Sequence, residues 1–347
     1  MIDHAAVLKA LSGVKYPGYS RDIVSFGLVK TSEFKDGLLR VGVQLTSANP
    51  EVARQIQQEA TRVLRGLEGV ANVEVRVEMP AAQGGAAAQN VWANQARVAG
   101  VRRVLAVASG KGGVGKSTCS VNLACALQKL GAKVGLLDCD IYGPSIPLMM
   151  GVHQRPTVSE QEKLIPPVQY GVKLMSIGFL LDGDQPIIWR GPMIVKTIQQ
   201  FLHAVEWGEL DYLVVDLPPG TGDAQLTLCQ TVPLDGGVIV TTPQEASLGV
   251  VRKGIRMFEK VNVPLLGLIE NMSYFTTPAG ERVHIFGDGG GRREAARQGI
   301  PFLGEIPIYP AIREGGDQGL PVVCSHATAP EGQAFLTMAE ALRKQLE

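Results

Sequence analysis

Hydrophobic positions in this chain fall into two regimes, separated by a stretch with neither helical nor strand period. In the first, residues 4–13 have helical spacing and Leu38–Thr46 (LLRVGVQLT) alternates as a half-buried strand. Glu51–Leu67 is amphipathic at helical period, and Val73–Glu78 alternates again. This pattern predicts a small α+β domain over residues 1–79. In the second regime, continuous apolar runs at 104–108, 133–138, 172–177, 212–216, 237–242, 265–270 and 302–306 predict strands buried on both faces, with helical segments between them. That alternation predicts an α/β domain over residues 101–347, a mostly parallel sheet flanked by helices, with ligand sites at the carboxyl ends of its strands. Between the regimes, Pro80–Gln89 is small, uncharged and low in complexity, so residues 80–100 are expected to form a flexible linker.

Composition changes little in this picture. The chain has 347 residues, enough for two domains, and its 33 basic residues balance 33 acidic ones, so overall charge points to neither nucleic acid nor membrane. The opening MIDHAAVLKALSG has an early acid and no long apolar core, unlike a signal peptide. No apolar run approaches the roughly 18 residues that a membrane span needs. A cytoplasmic location is expected. Cys119, Cys125, Cys139, Cys229 and Cys324 are odd in number and show no metal or disulfide spacing, so small core thiols are the default reading.

The chemistry concentrates after the first strand of the second regime. Ser109–Ser120 reads SGKGGVGKSTCS, a Gly-x4-Gly-Lys-Ser pattern between a buried strand and a helix. Gly110, Gly112, Gly113 and Gly115 remove the Cβ atoms that would hold phosphates away from the backbone of Lys111, Val114 and their neighbours. The N–H groups and the positive end of the helix then face the anion. Lys116 is placed to reach the β- and γ-phosphates of a nucleoside triphosphate. Ser117 offers a hydroxyl to Mg2+, and Thr118 continues the helix start. Lys111 lies on the loop itself and cannot easily fold back onto phosphates that its own backbone wraps. It is better placed to reach a nucleotide held by a second copy, by the logic of an arginine finger.

Two acids end strands nearby. The run after residue 133 reaches Asp138-Cys-Asp140, and Asp211–Val215 runs into Asp216 and then Leu-Pro-Pro-Gly-Thr-Gly. Carboxylates there can hold Mg2+, directly or through water, or orient an attacking water. Asn271 follows the strand at 265–270, with an amide able to pair with an adenine edge, an Asx-turn being the alternative. Gly304–Pro307 could close the other side of the base.

GKGGVGKS resembles the deviant Walker A loop of the MinD/ParA/nitrogenase-iron-protein class. DLPPGTGD at 216–223, Trp189-Arg-Gly-Pro-Met193 and Val205–Tyr212 resemble the Mrp/ApbC branch of ATPases that carry iron–sulfur clusters. Arg21–Val29 resembles the small iron–sulfur-assembly domain that precedes such ATPases. The resemblance implies ATP sandwiched in a homodimer, with Lys111 crossing the interface and Lys116 in the catalytic site. It gives Asp140 the hydrolytic role, Asp216 the Walker B role, Asp138 a structural one, and Asn271 and Pro307 contact with adenine. It also implies apo iron–sulfur clients or assembly factors as partners, while the short C-terminal helix at 335–347, with mixed charges, points to neither nucleic acid nor membrane. Two departures stand out. Tyr16-Pro-Gly-Tyr19 lies where relatives have an Asp-Pro-Glu-like turn. Thr277 and Gly280 stand where relatives place the two cysteines that hold a [4Fe–4S] cluster between subunits. His284 follows in a loop, before a Gly-rich turn at Phe286–Gly291. The alternative function is a MinD-like ATPase adaptor or regulator that binds no cluster itself.

Overall fold

The structure, a computed structural model, describes residues 4–17, 22–35, 37–45, 50–67, 69–78, 97–180 and 191–347. Most of the expected linker, Trp189 and Arg190 lie outside the described residues. The chain divides into two compact units, Met1–Gln89 and Asn90–Glu347.

The first unit contains α1 (His4–Leu11), β1 (Val29–Lys35), β2 (Leu38–Gln44), α2 (Pro50–Leu64) and β3 (Asn72–Glu78). Strands β1 and β2 pair antiparallel, and α2 carries the chain across to β3, which pairs parallel with β2. Leu39, Val41 and Val43 of β2 pack with Leu11, Ile56, Ala60 and Leu64 from the two helices. Strand β1, with the sequence VKTSEFK, was not expected. Its side chains are exposed or half-buried throughout, so it lacks the apolar alternation that marks a strand. Charged residues along such an edge discourage pairing with another chain.

The second unit runs β4 (Val101–Ser109), α3 (Lys116–Lys129), β5 (Val134–Asp138) and α4 (Ile146–Met149). A two-stranded ribbon of β6 (Thr157–Val158) and β7 (Leu164–Ile165) follows, then β8 (Val168–Gln169), β9 (Val172–Ser176) and α5 (Gly191–His203). Next come β10 (Leu210–Asp216), α6 (Asp223–Thr231), β11 (Gly236–Thr241), α7 (Glu245–Lys260), β12 (Leu265–Thr276) and β13 (Arg282–Val283). The chain closes with α8 (Gly290–Gln298), β14 (Phe302–Ile308), α9 (Pro310–Gln318), α10 (Val322–Ser325) and α11 (Pro330–Leu346). All seven apolar runs form strands. They lie in the order β14-β12-β11-β4-β10-β5-β9, all pairs parallel, while β8 and β13 add short antiparallel pieces.

Strand β4 sits between β10 and β11, where the order reverses, so the loop after it opens into the crevice where doubly wound sheets bind ligands. Residues of β4, β5, β10 and β11 are nearly all buried because helices cover both faces. Strand β12 is longer than its neighbours and projects past the sheet. Its pairing with β14 slips between Asn271 and Phe275, and Met272 in the slip has φ of 56°, a left-handed conformation rare for a non-glycine residue. Among the described residues no helix is long and apolar enough to cross a membrane.

Candidate nucleotide site

The turn from β4 to α3 is built by its glycines. Gly113 and Gly115 have φ of 78° and 85°, which L side chains rarely adopt, and Gly115 forms the N-cap of α3. A Cβ on Gly115 would run into the Asn271 amide, and one on Gly110 would press on Val250 of α7. Gly112 and Gly113 face open space. Val114 is buried and pins the loop. Ser117 and Thr118 open the helix, beside a hollow of about 220 Å³ that Lys116 and Asp140 also line.

Lys116, Asp140 and Asp216 converge beneath this loop although they lie 24 to 100 residues apart in the chain. Register explains it: Asp138 and Asp216 end adjacent parallel strands as direct neighbours, and β4 lies on the other side of β10. The Lys116 ammonium is 2.5 Å from Asp216 Oδ2 and 3.5 Å from Asp140 Oδ2. The Ser117 hydroxyl donates to Asp216 Oδ2 at 2.7 Å. Ser120, one turn further along α3, donates to Asp216 Oδ1 at 2.5 Å, a contact that the sequence reading missed. Its only signal was its i+4 position from Lys116, on the same helical face. Burial alone would depress the Lys116 ammonium, but Asp216, then Asp140 and Asp138, outweigh it and hold its pKa above the ordinary lysine value. Burial raises Asp140 against the pull of Lys116.

Asp138 sits deeper. It accepts hydrogen bonds from the Asp140 N–H at 3.0 Å and the Ser176 hydroxyl at 2.8 Å, which fix the turn that aims Asp140. Burial, with the Asp216 charge next, raises its pKa to about 7. The folded protein therefore keeps this proton to near neutrality, whereas the unfolded chain releases it near pH 4. Stability contributed by this group is present at low pH and lost as pH climbs from about 4 through 7, by on the order of 4 kcal/mol in total. Asp138→Asn keeps the shape without the charge: its oxygen can accept from the Asp140 N–H, and its amide can donate to the Ser176 oxygen in place of the bond Asp138 accepts. Urea denaturation of the nucleotide-free protein should find it more stable than wild type at pH 8, by a margin that narrows at pH 5 and closes only below about pH 4. Equal loss at both values would mean that the carboxylate itself is required.

A second cavity of about 610 Å³ opens beside the phosphate loop, sharing Gly115, Thr118, Ser145 and Met149 with the smaller hollow. Asn271 and Pro307 line it, together with Met272, Ile308, Tyr309, Ile312 and Arg313. Its size and apolar walls suit a purine with its ribose. The Asn271 amide donates to the Val114 carbonyl at 2.8 Å, so this residue bridges the larger cavity and the phosphate loop. The α9 wall was not anticipated, because Pro310–Gln318 carries no motif.

Lys111 lies apart from the acid cluster. Its ammonium donates to Gln244 Oε1, just before α7, at 3.2 Å, a neutral partner on the outer lip of the loop. Thr277 and Gly280 form the tip of the β12–β13 hairpin: the Gly280 N–H donates to the Thr277 carbonyl at 2.9 Å, and Gly280 has φ of 83°. His284 turns to Asp288, 3.5 Å away, and packs edge-on against Tyr274. Among the described residues no group of three or more His, Cys, Asp or Glu side chains could hold a metal ion.

Comparison with known proteins agrees with this geometry. Residues 100–343 match the model of the NUBPL iron-transfer P-loop NTPases, and residues 4–77 match that of an iron–sulfur cluster assembly protein. The iron–sulfur cluster carrier protein of Synechocystis sp. is 42% identical over 346 residues, covering 98% of this chain and 97% of that protein. The nucleotide-binding protein of Archaeoglobus fulgidus, solved in complex with ADP, is 45% identical with a TM-score of 0.58, covering 64% of this chain and 88% of that one. The cell division ATPase MinD of Pyrococcus furiosus shares the fold at 22% identity and a TM-score of 0.54, over 70% of this chain and 99% of its own. With the loop, the paired strand-end acids and the preceding small domain in place, this chain belongs to the NUBPL family of iron-transfer P-loop NTPases.

Proposed function

We propose that the chain binds ATP with Mg2+ at this site, hydrolyses it as a nucleotide-sandwich homodimer, and uses the cycle to move iron–sulfur clusters toward apo client proteins or assembly factors. The observation that carries the reading is the convergence of Lys116, Ser117, Asp140 and Asp216 under a glycine-built loop whose other lysine, Lys111, points away from them. The polyphosphate would lie along the loop N–H groups, with Lys116 turning from Asp216 to the β- and γ-phosphates. Ser117, Asp216 and Asp140 supply hard oxygen donors that suit Mg2+, directly or through water, and the ion would neutralise phosphate charge. Asp140, held by its neighbour Asp138, is positioned to orient the attacking water. Lys111 of each copy would reach the nucleotide of the other. Residues 1–79 would serve as the assembly-type domain and residues 80–100 as the linker to the ATPase domain at 101–347.

The cluster is cargo in this scheme, and its usual thiolates are missing from the hairpin tip. That favours one further reading, an ATPase adaptor or regulator that binds no cluster itself. Anaerobic reconstitution with iron and sulfide, read by visible absorption after desalting, separates the two. Wild type is expected to retain little cluster. The variant with Thr277→Cys and Gly280→Cys should retain about one [4Fe–4S] per dimer, four thiolates meeting at the axis. A cysteine at 280 meets open space, and its left-handed backbone costs only about 1 kcal/mol. A robust cluster on wild type would remove the support for the adaptor reading.

A further inference from the structure

The Gly-rich turn at Phe286–Gly291 has no part in the phosphate chemistry, yet it is built against the nucleotide site. At its start, Ile285 and Phe286 line the larger cavity together with Asn271 and Pro307. Ile285 is 54% exposed, a large aliphatic side chain that a flat base could cover. At its end the chain enters α8 through Gly290 and Gly291, both buried. A Cβ on Gly290 would strike the Pro243 carbonyl, just before α7. One on Gly291 would lie 2.9 Å from Leu268 Cδ2 and 3.0 Å from Glu270 Oε2, so only glycine lets the helix start this close to β12.

The side chain that fills this gap is Glu270. It is 0% exposed, and its Oε2 accepts the Gly291 N–H. Its other oxygen, Oε1, is buried and has no hydrogen-bond partner among the described residues. A buried carboxyl group with one oxygen unpaired is costly, and an apolar side chain could pack there without that penalty. What an apolar residue could not do is hold the Gly291 N–H. Consecutive strand residues face opposite sides, so Glu270 meets α8 while Asn271 turns to the phosphate loop and donates to the Val114 carbonyl. We propose that Glu270 is a positioning residue for nucleotide binding: by holding the Gly291 N–H it clamps the start of α8 and keeps Ile285 and Phe286 in place as a wall around the base. This role, which rests on the reading of the larger cavity as the base site, concerns the base and not the polyphosphate. The phosphates would meet the loop N–H groups and Lys116 instead.

Two substitutions separate the reach of this side chain from its charge. Glu270→Gln keeps an acceptor oxygen at the same reach and carries no charge, whereas Glu270→Asp keeps the carboxylate but is one methylene too short to meet Gly291. The full chain is titrated with labelled ATP and Mg2+, and the label is then displaced by inorganic tripolyphosphate, which has no base. Glu270→Asp and Glu270→Ala should bind ATP about tenfold more weakly than wild type, the scale of one lost hydrogen bond, and bind tripolyphosphate as wild type does. Glu270→Gln should match wild type with both. The proposal is overturned if Glu270→Asp keeps the wild-type affinity for ATP, if Glu270→Gln is weakened as much as Glu270→Ala, or if tripolyphosphate binding falls in step with ATP. Should the alanine variant fail to fold, the Asp and Gln variants decide the matter alone. A wild type that binds ATP no more tightly than tripolyphosphate would remove the base-site reading itself, and this role with it.

Discussion

Lys116→Ala should weaken ATP binding by two orders of magnitude or more, about 3 kcal/mol, in equilibrium titration with a labelled nucleotide. The loop would keep its glycines and N–H groups but lose the point charge that meets the terminal phosphates. The same change has a second consequence. Lys116 is the cation for three acids at buried strand ends, 2.5 Å from Asp216 and 3.5 Å from Asp140. Removing one member of such a buried set typically costs about 3–5 kcal/mol unless the remaining groups neutralise. Asp138 and Asp140, already raised by burial, would then hold their protons to higher pH still, so folding would take up protons that the unfolded chain lacks. The variant should therefore lose stability as pH rises from 5 to 8, more steeply than wild type. Binding is best compared at pH 6, with circular dichroism confirming the fold. Unchanged affinity there would remove the phosphate-loop assignment.

Lys111→Ala should leave binding by a single copy near the wild-type value while lowering turnover about a thousandfold, the scale of a cation supplied in trans. The contrast with Lys116 follows from position. Lys111 is half-buried on the outer lip, hydrogen-bonded to the neutral Gln244 amide, and touches neither Asp140 nor Asp216. Its loss should not disturb folding. Sedimentation with ATP trapped in a slow-hydrolysing state should show wild-type dimers and variant monomers. Dimers with normal turnover in the variant would make Lys111 ordinary surface charge.

Much of this was legible in the residues because the sheet of the second unit is parallel and doubly covered. Its strands must be continuously apolar, and the phosphate loop must follow one of them. The positions of Lys116, Asp140 and Asp216 follow from that rule, since Asp216 ends a strand, Asp140 lies two residues past one and Lys116 begins the helix after one. Contacts that depend on three-dimensional register were not legible. Ser120 reaches Asp216 and Asn271 reaches Val114, but nothing in the local sequence specifies either partner. The α9 wall of the larger cavity and the exposed strand β1 stayed hidden for different reasons: α9 carries no motif, and β1 has no alternating apolar face.

Strand β12 is one continuous arm with a single interruption in its pairing to β14 past Asn271. Asn271 sits at one point along it, bound to the phosphate loop, and six residues further the hairpin tip begins at Thr277. Extended backbone spans roughly 3.3 Å per residue, so the arm between them is about 20 Å long. Hydrogen bonding to β11 and β14 stiffens the inner half, whereas the slip at Met272 breaks the ladder just beyond Asn271. Beyond the slip, Phe275 rejoins β14 at Ile308 and pairs with Val283 of β13, so the interruption is confined to the few residues between. One piece of backbone thus joins the residue that braces the phosphate loop to the tip that carries Thr277 and Gly280.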